Sequence, residues 1–244
     1  MIALTIYSLI SARGFGHYDD DIINLSKKTC KQYQEHRENV CKLTVIVHDI
    51  LNDMGLDHFL CYGSMWSHVR GFDGPVPWDY DSDLCALRDP FNSTEVSDIR
   101  RRLGEHNISF TEELDWGGTL KFWYIGDRSL EIDLFFYKTT FFGRVWRHGT
   151  VPYILPVHYY RHESFPVKFL NRPLPNVTFC RRHIQVPHGG IEVLKYLYPD
   201  NWDKEAKPKY FDCDVKQFYN KFSVQNIPPM ASSPSKQRPT TLSS

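Results

Sequence analysis

Three aspartates occupy alternate positions in the segment PVPWDYDSDLCAL, which covers residues 75–87. Successive side chains of a β-strand point to opposite faces, so Asp79, Asp81 and Asp83 would project from one face of a regular strand. Three carboxylates this close repel one another, and one takes up a proton unless a cation neutralises them. The spacing therefore favours a site for a divalent, oxygen-binding metal such as Mg²⁺, which also accepts substrate phosphate oxygens. The alternative is a solvated acidic strand edge or loop.

Two further features favour the metal site over the solvated edge. The apolar tail at residues 84–87, LCAL, indicates that the strand enters the core just after Asp83. The segment LEIDLFFY at residues 130–137 carries a single acid, Asp133, in an otherwise core-type strand, where a carboxylate needs a partner or a metal. A neighbouring strand that presents Asp133 to the acidic segment would complete a three-carboxylate site. The alternative for Asp133 is a salt bridge to a basic residue such as Lys121.

A small-residue turn precedes the acidic segment. Gly63 and Ser64 follow the short apolar run at residues 59–62, which reads as a buried strand. Backbone N–H groups at such a strand-to-helix turn can approach an anion, and His68 and Arg70, on the helix predicted next, could reach a phosphate. The alternative is an ordinary Gly-Ser turn.

Composition narrows the classes of function. The chain has 244 residues, 41% of them hydrophobic, which is enough to bury the core of one large domain. Lysine plus arginine and aspartate plus glutamate both number 29, so no global charge draws the chain to nucleic acid. Because there is also no basic stripe with interleaved aromatics, we expect no nucleic-acid partner and disfavour a polymerase-type nucleotidyltransferase.

Membrane and targeting signals are weak in this sequence. No segment approaches the roughly 20 apolar residues that span a bilayer, so membrane anchoring is not visible in this chain. The apolar run Ile2–Ala12 has the length of a signal-peptide core but lacks a basic segment before it, and it reads as a weak signal or a strand. Four N-x-S/T sequons favour the secretory pathway; they begin at Asn24, Asn92, Asn107 and Asn176.

Six cysteines occur, and no two form a C-x-x-C pair, so their spacing does not indicate a structural zinc site. Cys61 and Cys85 lie in apolar contexts, and we expect buried thiols there. The other four could pair in an oxidising compartment, as Cys30 with Cys41 or Cys180 with Cys213.

The hydrophobic pattern predicts an α+β fold. We expect a polar loop over 17–42, helices over 40–54, 65–70, 93–106 and 190–198, and strands over 59–62, 82–87, 109–113, 120–125 and 130–137. Ser93 or Thr94 is the expected cap of the third of these helices. The predicted organisation is an N-terminal extension at 1–39, a single domain at 40–215 and a disordered tail at 228–244.

Residues 59–87, with YGSMWSHVRGFDGPVPWDYDSDL at their centre, resemble the LicD/fukutin-related family of the nucleotidyltransferase superfamily. The family pattern is a Gly-Ser or Gly-Thr turn, a helix ending in arginine, a Gly/Pro loop and a W-D-x-D-x-D strand. LEIDLFFY resembles the family's third-acid strand, and LPNVTFCRRHIQVPHGGIEVLKYLYPDNW resembles its closing region, so the likeness covers about 45–210. Met65 and Trp66 depart from it, since family members more often have small aliphatic residues there.

The resemblance implies a nucleotidyltransferase-like mixed β-sheet flanked by helices and a set of site residues. The metal pair would be Asp81 and Asp83, the third carboxylate Asp133, and Asp79 a flanking acid, while Gly63 and Ser64 would line the donor phosphates. The implied cofactor is Mg²⁺ or Mn²⁺. The implied reaction transfers a phospho-alcohol group, such as phosphocholine or ribitol 5-phosphate, from a CDP-linked donor to a hydroxyl of a glycan or glycoprotein, in the Golgi lumen.

In this hypothesis the metal holds the donor diphosphate and CMP leaves. Either Asp133 or Asp79 would accept the proton of the acceptor hydroxyl. Arg70 and a member of the cluster at residues 181–183 are candidate contacts to phosphate or acceptor, although a solvated basic face is the alternative for that cluster. The competing function is a catalytically inactive, glycan-binding or scaffolding member of the same fold.

Overall fold

The computed structural model describes residues 28–149, 156–204 and 207–219. The apolar run at 2–12, the first sequon and the tail at 228–244 lie outside these ranges. Among the described residues, no helix has the length and apolar character needed to cross a membrane.

A mixed sheet of eight strands forms the centre of the fold. Its strands are β1 (Phe59–Leu60), β2 (Asp81–Leu87), β3 (Ile108–Glu113), β4 (Thr119–Tyr124), β5 (Asp127–Thr139), β6 (Val145–Arg147), β7 (Asn176–Phe179) and β8 (Arg182–Gln185). Their order is β3-β4-β5-β2-β1-β8-β7, and β6 pairs with β5. The pairs β2/β5 and β1/β8 are parallel, and the others are antiparallel. The near-continuous apolar runs of β2 and β5 explain their place in the middle of the sheet.

Helices flank this sheet. They are α1 (Cys30–Asp53), α2 (Tyr62–Val69), α3 (Ser93–Gly104), the single turn α4 (Leu114–Gly117), α5 (Pro156–His162) and α6 (Ile191–Leu197). Two 3₁₀ turns, Val167–Leu170 and Val215–Phe218, complete the described elements. The predicted mixed sheet flanked by helices is confirmed.

Helix α1 is longer than its apolar spacing predicts. It begins at Cys30, where a polar loop was expected, and the predicted domain boundary at 40 falls inside it. A capping box starts the helix: the Gln32 backbone N–H donates to Thr29 Oγ1, and the Thr29 N–H donates to Gln32 Oε1. The first half of α1 buries Tyr33 and Arg37, so its inward face is partly polar and carries a weak apolar signal.

The cap of α3 lies one residue before the predicted cap residues. Asn92 Oδ1 accepts hydrogen bonds from the backbone N–H groups of Thr94 and Glu95, both at 3.0 Å, in place of a cap by Ser93 or Thr94. Asparagine, like serine and threonine, can cap a helix, and the extended backbone of Asn92 presents its side chain to the first turn.

All six cysteines form disulfide bonds. Cys61 and Cys85 are buried, as predicted, but they are bonded to each other, because antiparallel β1 and β2 bring their Cα atoms to 5.9 Å. The other four cysteines do pair, as Cys30 with Cys213 and Cys41 with Cys180, and neither of the two pairings considered from the sequence, which left the connectivity open, is formed. Cys30 and Cys41 lie on one helix, eleven residues and roughly 16 Å apart, which is beyond disulfide reach.

Arg37 holds the Gly/Pro loop that leads into the acidic strand. Its side chain is fully buried and donates to the carbonyls of Pro75 at 2.6 Å, Phe218 at 3.0 Å and Asp73 at 3.2 Å. Burial lowers the pKa of Arg37 to about 10, an effect that the Asp73 carboxylate partly offsets. One guanidinium thus joins α1, the loop before β2 and the C-terminal 3₁₀ turn.

We predict that Arg37→Met lowers the free energy of unfolding by about 3–5 kcal/mol, because it removes the donor to three carbonyls in two buried contacts and one partly buried contact. Urea unfolding followed by tryptophan fluorescence measures the change. Lys31→Met, on the exposed side of the same helix, is the matched control and should change stability by less than about 0.5 kcal/mol. Equal losses in the two variants would contradict the structural role of Arg37.

Candidate metal and phosphoryl-transfer site

Strand register brings three of the predicted acids together. In the parallel pair β2/β5, Asp83 lies directly opposite Asp133. Asp81 lies two residues earlier on the same face of β2. One carboxylate oxygen from each of the three lies within 4.8 Å of the others, and Asp83 and Asp133 are buried. The sheet therefore places the carboxylates where one cation could contact all three.

Lys121 is part of the same site. It lies opposite Asp133 in the antiparallel pair β4/β5, with its Nζ 3.6 Å from Asp133 Oδ1 and 3.2 Å from Glu131 Oε2. The salt bridge and the carboxylate cluster, weighed as alternatives for Asp133, thus coexist. The Oδ1 atom is nonetheless buried and accepts no hydrogen bond from the described residues.

Asp79 joins the cluster from outside the strand. Strand β2 begins at Asp81, so the alternation expected of all three aspartates does not extend to Asp79. Its Oδ2 instead lies near Asp83 Oδ2 at Gly63, where an added Cβ would be 3.2 Å from the first oxygen and 3.0 Å from the second. Burial and the neighbouring Asp81 carboxylate raise the pKa of Asp79. Asp79 is therefore a flanking acid that lies next to the three-carboxylate cluster.

Gly63 and Ser64 position Asp83. They lie in the first turn of α2, where the Gly63 N–H donates to Asp83 Oδ2 and the Asp83 N–H donates to Ser64 Oγ, both at 2.8 Å. A Cβ on Gly63 would lie 3.0 Å from Asp83 Oδ2 and 3.2 Å from Asp79 Oδ2, so glycine permits this close approach. The two hydrogen bonds join Gly63 and Ser64 to Asp83. That these two residues line the donor phosphates stays a prediction.

Burial and mutual repulsion disfavour ionisation of the cluster. Burial raises the pKa of Asp79, Asp81, Asp83 and Asp133. Neighbouring carboxylates raise the pKa of Asp83 further, and that of Asp133 reaches about 7 even though Lys121 lowers it. For Lys121, burial alone would lower the pKa, but Asp133 and Glu131 raise it on balance. One lysine therefore does not neutralise the group.

The donor set fits a hard divalent cation. The available ligands are carboxylate oxygens, which Mg²⁺ and Mn²⁺ prefer, and neither thiol nor imidazole belongs to the group. The buried Asp133 Oδ1 without a hydrogen bond and the raised pKa values mark positions where a bound cation would remove an electrostatic cost.

The predicted basic contacts lie elsewhere. Arg70 is at the opposite end of α2 from Gly63; its Nη2 donates to the carbonyls of Trp202 and Lys204, and its guanidinium stacks on Trp66 at 3.2 Å. The structure does not bring it to the acids, and its phosphate contact stays a prediction. In the basic cluster, Arg182 forms a salt bridge with Asp49 of α1.

Five further residues near the acids were not predicted as site residues: Tyr62, Tyr137, Arg147, Glu163 and Tyr198. The Tyr62 hydroxyl contacts both the Tyr137 hydroxyl and the Glu163 carboxylate, and Arg147 lies 3.8 Å from Glu163. The pKa of Tyr198 is raised by burial and by the carboxylates of the cluster. The one available signal was Arg147, a charged residue in the short strand VWR.

The sequence model of the nucleotidyltransferase domain described as LicD/FKTN/FKRP matches residues 55–189, which is more than half of the chain. The chain belongs to this family. The matched range contains Gly63, the three clustered aspartates and Glu163, and Tyr198 lies beyond its end. No curated protein matches the sequence significantly.

Among solved structures, a lincosamide antibiotic adenylyltransferase, LnuA in its lincomycin-bound form, is similar to this LicD-family chain. The identity is 10%, the aligned region covers 68% of this chain and 89% of that one, and the TM-score is 0.40. A likeness this distant has no bearing on the substrate.

We predict that, with EDTA present to remove divalent cations, Asp83→Asn increases the free energy of unfolding by about 1–2 kcal/mol. The substitution removes a charge that burial and neighbouring carboxylates disfavour. The asparagine carbonyl can still accept the Gly63 N–H. The parent protein should gain about 2.7 kcal/mol at Mn²⁺ concentrations 100 times its dissociation constant.

The variant should lose most of this gain, and differential scanning calorimetry with and without Mn²⁺ measures both effects. Asp53→Asn, at an exposed position at the end of α1, is the control and should respond to Mn²⁺ like the parent. Equal Mn²⁺ stabilisation of the parent and of Asp83→Asn would show that the cluster is not the cation site.

Proposed function

We propose that this LicD-family chain is a metal-dependent transferase of substituted phosphate groups. It moves a phospho-alcohol group, phosphocholine or a pentitol phosphate such as ribitol 5-phosphate, from a CDP-linked donor to a hydroxyl of a glycan or glycoprotein. Within the family, the acidic segment WDYD-x-D resembles that of fukutin-related protein. The observation that carries the proposal is the cluster of Asp81, Asp83 and Asp133, the last two of them buried, in a nucleotidyltransferase domain.

Each acid has a defined task in this reaction. Asp81, Asp83 and Asp133 would hold Mg²⁺ or Mn²⁺. When bound, the ion supplies positive charge beside the donor diphosphate and stabilises the charge that develops on departing CMP. Gly63 and Ser64 keep Asp83 in place from the first turn of α2, and Lys121 orients Asp133 from the neighbouring strand. The two positioning contacts come from opposite sides of the carboxylate pair.

Release of CMP tests the function directly. The parent protein is incubated with CDP-ribitol or CDP-choline, Mn²⁺ and a glycan acceptor, and CMP is measured by chromatography. We expect Asp81→Asn and Asp83→Asn each to reduce the rate at least ~100-fold, since they weaken the stabilisation of transition-state charge by several kcal/mol. Asp53→Asn should retain the parent rate.

Two results would overturn the proposal. Undiminished CMP release by both aspartate variants would show that the cluster is not catalytic. Absence of CMP release by the parent, together with absence of Mn²⁺ binding in the presence of CDP, would favour an inactive glycan-binding or scaffolding member of the family.

We further propose that the protein works in the secretory pathway, in the Golgi lumen. Three disulfides support an oxidising compartment, because such bonds are rare in reducing ones. The sequon residues Asn107 and Asn176 support the same location, since both are exposed and therefore accessible to glycosylation.

We predict N-linked glycans at Asn107 and Asn176 on protein purified from its native source. Enzymatic deglycosylation in H₂¹⁸O, followed by peptide mass spectrometry, should show ¹⁸O-labelled aspartate at both positions. Unlabelled asparagine at both would contradict the compartment, while leaving the transferase proposal to its own test.

A further inference from the structure

Glu163 is a carboxylate in the site region that does not belong to the metal cluster. It follows α5, and its Oε2 accepts a hydrogen bond from the Tyr62 hydroxyl, which also contacts the Tyr137 hydroxyl. The Glu163 side chain is 21% exposed. Its second oxygen, Oε1, accepts no hydrogen bond from residues 28–149, 156–204 or 207–219. One oxygen of the carboxylate is fixed, and the other remains available to a ligand.

Arg147 supplies the balancing charge. Its Nη1 lies 3.8 Å from Glu163 Oε2, its Nε donates to the Gly117 carbonyl at 2.6 Å, and its Nη2 donates to Thr119 Oγ1 at 2.7 Å. The guanidinium lies over the ring of Phe135 at 4.3 Å. A partly buried ion pair held this way is costly to desolvate, and such pairs concentrate at functional sites.

The glutamate lies beside the metal cluster. Phe135, under Arg147, comes two residues after Asp133 on the same face of β5. Tyr62, which holds Glu163, immediately precedes Gly63, whose N–H binds Asp83. The phenol of Tyr198 is close enough to both groups that Asp83 and Glu163 each raise its pKa. Glu163 is thus held near the three aspartates by Tyr62 and Arg147, which lie on the face of the sheet that carries Asp133.

The backbone at Tyr62 is strained. Its φ is +37°, in the left-handed region that residues other than glycine rarely adopt, at a cost of about 1–3 kcal/mol. The hydroxyl contacts to Glu163 and Tyr137 and the edge-on packing against Phe135, with ring centroids 4.8 Å apart, hold the residue there. Such strain is concentrated at sites where it fixes a functional group.

We propose that Glu163 is the general base of the transfer and binds the acceptor hydroxyl through Oε1. This inference rests on the proposed function and assigns the proton to Glu163 in place of Asp133 or Asp79. Asp133 is a metal ligand in the proposed reaction and pairs with Lys121, and the Asp79 carboxylate lies within the acidic cluster, near that of Asp83 at Gly63. Tyr62 and Arg147 are positioning residues that act through Glu163.

In the transfer, the acceptor oxygen forms a bond to the phosphorus that carries the alcohol, while the acceptor's proton moves to Glu163. The bond from that phosphorus to the bridging oxygen of the diphosphate breaks, and the electron pair leaves with CMP. Glu163 then returns the proton to solvent. The class of acceptor is therefore an uncharged sugar or polyol hydroxyl, which needs a base to become a nucleophile.

Glu163→Gln tests the assignment, because it keeps the shape and loses the base. We expect kcat for transfer to fall by ~100-fold or more, while the affinities for Mn²⁺ and CDP, measured by calorimetry, stay within about twofold of the parent. Glu192→Gln, an exposed glutamate on α6, is the control and should behave as the parent. In Glu163→Ala, added sodium formate should restore at least about a tenfold gain in rate, since a small carboxylate can replace the missing base.

Each other result contradicts the assignment. Transfer by Glu163→Gln within threefold of the parent would show that no base is needed there. Loss of Mn²⁺ or CDP binding would make Glu163 part of the donor site, and loss of transfer without rescue by formate would make its role structural. If the parent protein binds Mn²⁺ and CDP but releases no CMP with any acceptor, the proposed function is wrong. The assignment of Glu163 as the general base is then wrong as well.

Discussion

Parallel pairing of β2 with β5 is the constraint on which the site depends. Once the two strands take the register that buries their apolar residues, Asp83 must lie opposite Asp133, and Asp81 follows two residues away. A slip of one residue would turn every side chain of β2 to the other face of the sheet, so the core and the carboxylate cluster share one register. The like charges are thus brought together by apolar packing, and the surrounding contacts serve to hold them there.

The two sides of the cluster are held by different means. On the β4 side, Lys121 supplies positive charge without a hydrogen bond to the buried Asp133 oxygen. On the helical side, the first turn of α2 supplies an N–H to Asp83, at the end of the helix where the macrodipole favours negative charge. An anionic donor that approached this turn would meet a Gly63 N–H group that already donates a hydrogen bond to the Asp83 carboxylate. The first role of this turn is therefore to position Asp83, and any contact with phosphate comes second.

The parts of the fold that were predictable have local signals. The single acid in LEIDLFFY revealed Asp133, and the apolar tail after Asp83 revealed the strand that carries it, because each breaks a hydrophobic pattern that can be seen within eight residues. Arg37 and Glu163 gave no such signal. Their roles depend on carbonyls and hydroxyls contributed by segments 36 to 181 residues away, as from Asp73 and Phe218 to Arg37. Disulfide partners were likewise hidden, since proximity in sequence favoured Cys30 with Cys41 and a helix keeps them apart.

That helix has a consequence for the order of events during synthesis. Cys30 and Cys41 leave the ribosome long before their partners at 180 and 213, and in a flexible chain they would be the first thiols able to meet. A helix α1 formed before those segments would hold the two thiols about three turns apart, beyond disulfide reach. The capping box at Thr29, which starts the helix ahead of Cys30, would then help to prevent a wrong cross-link during folding as well as stabilising the finished protein.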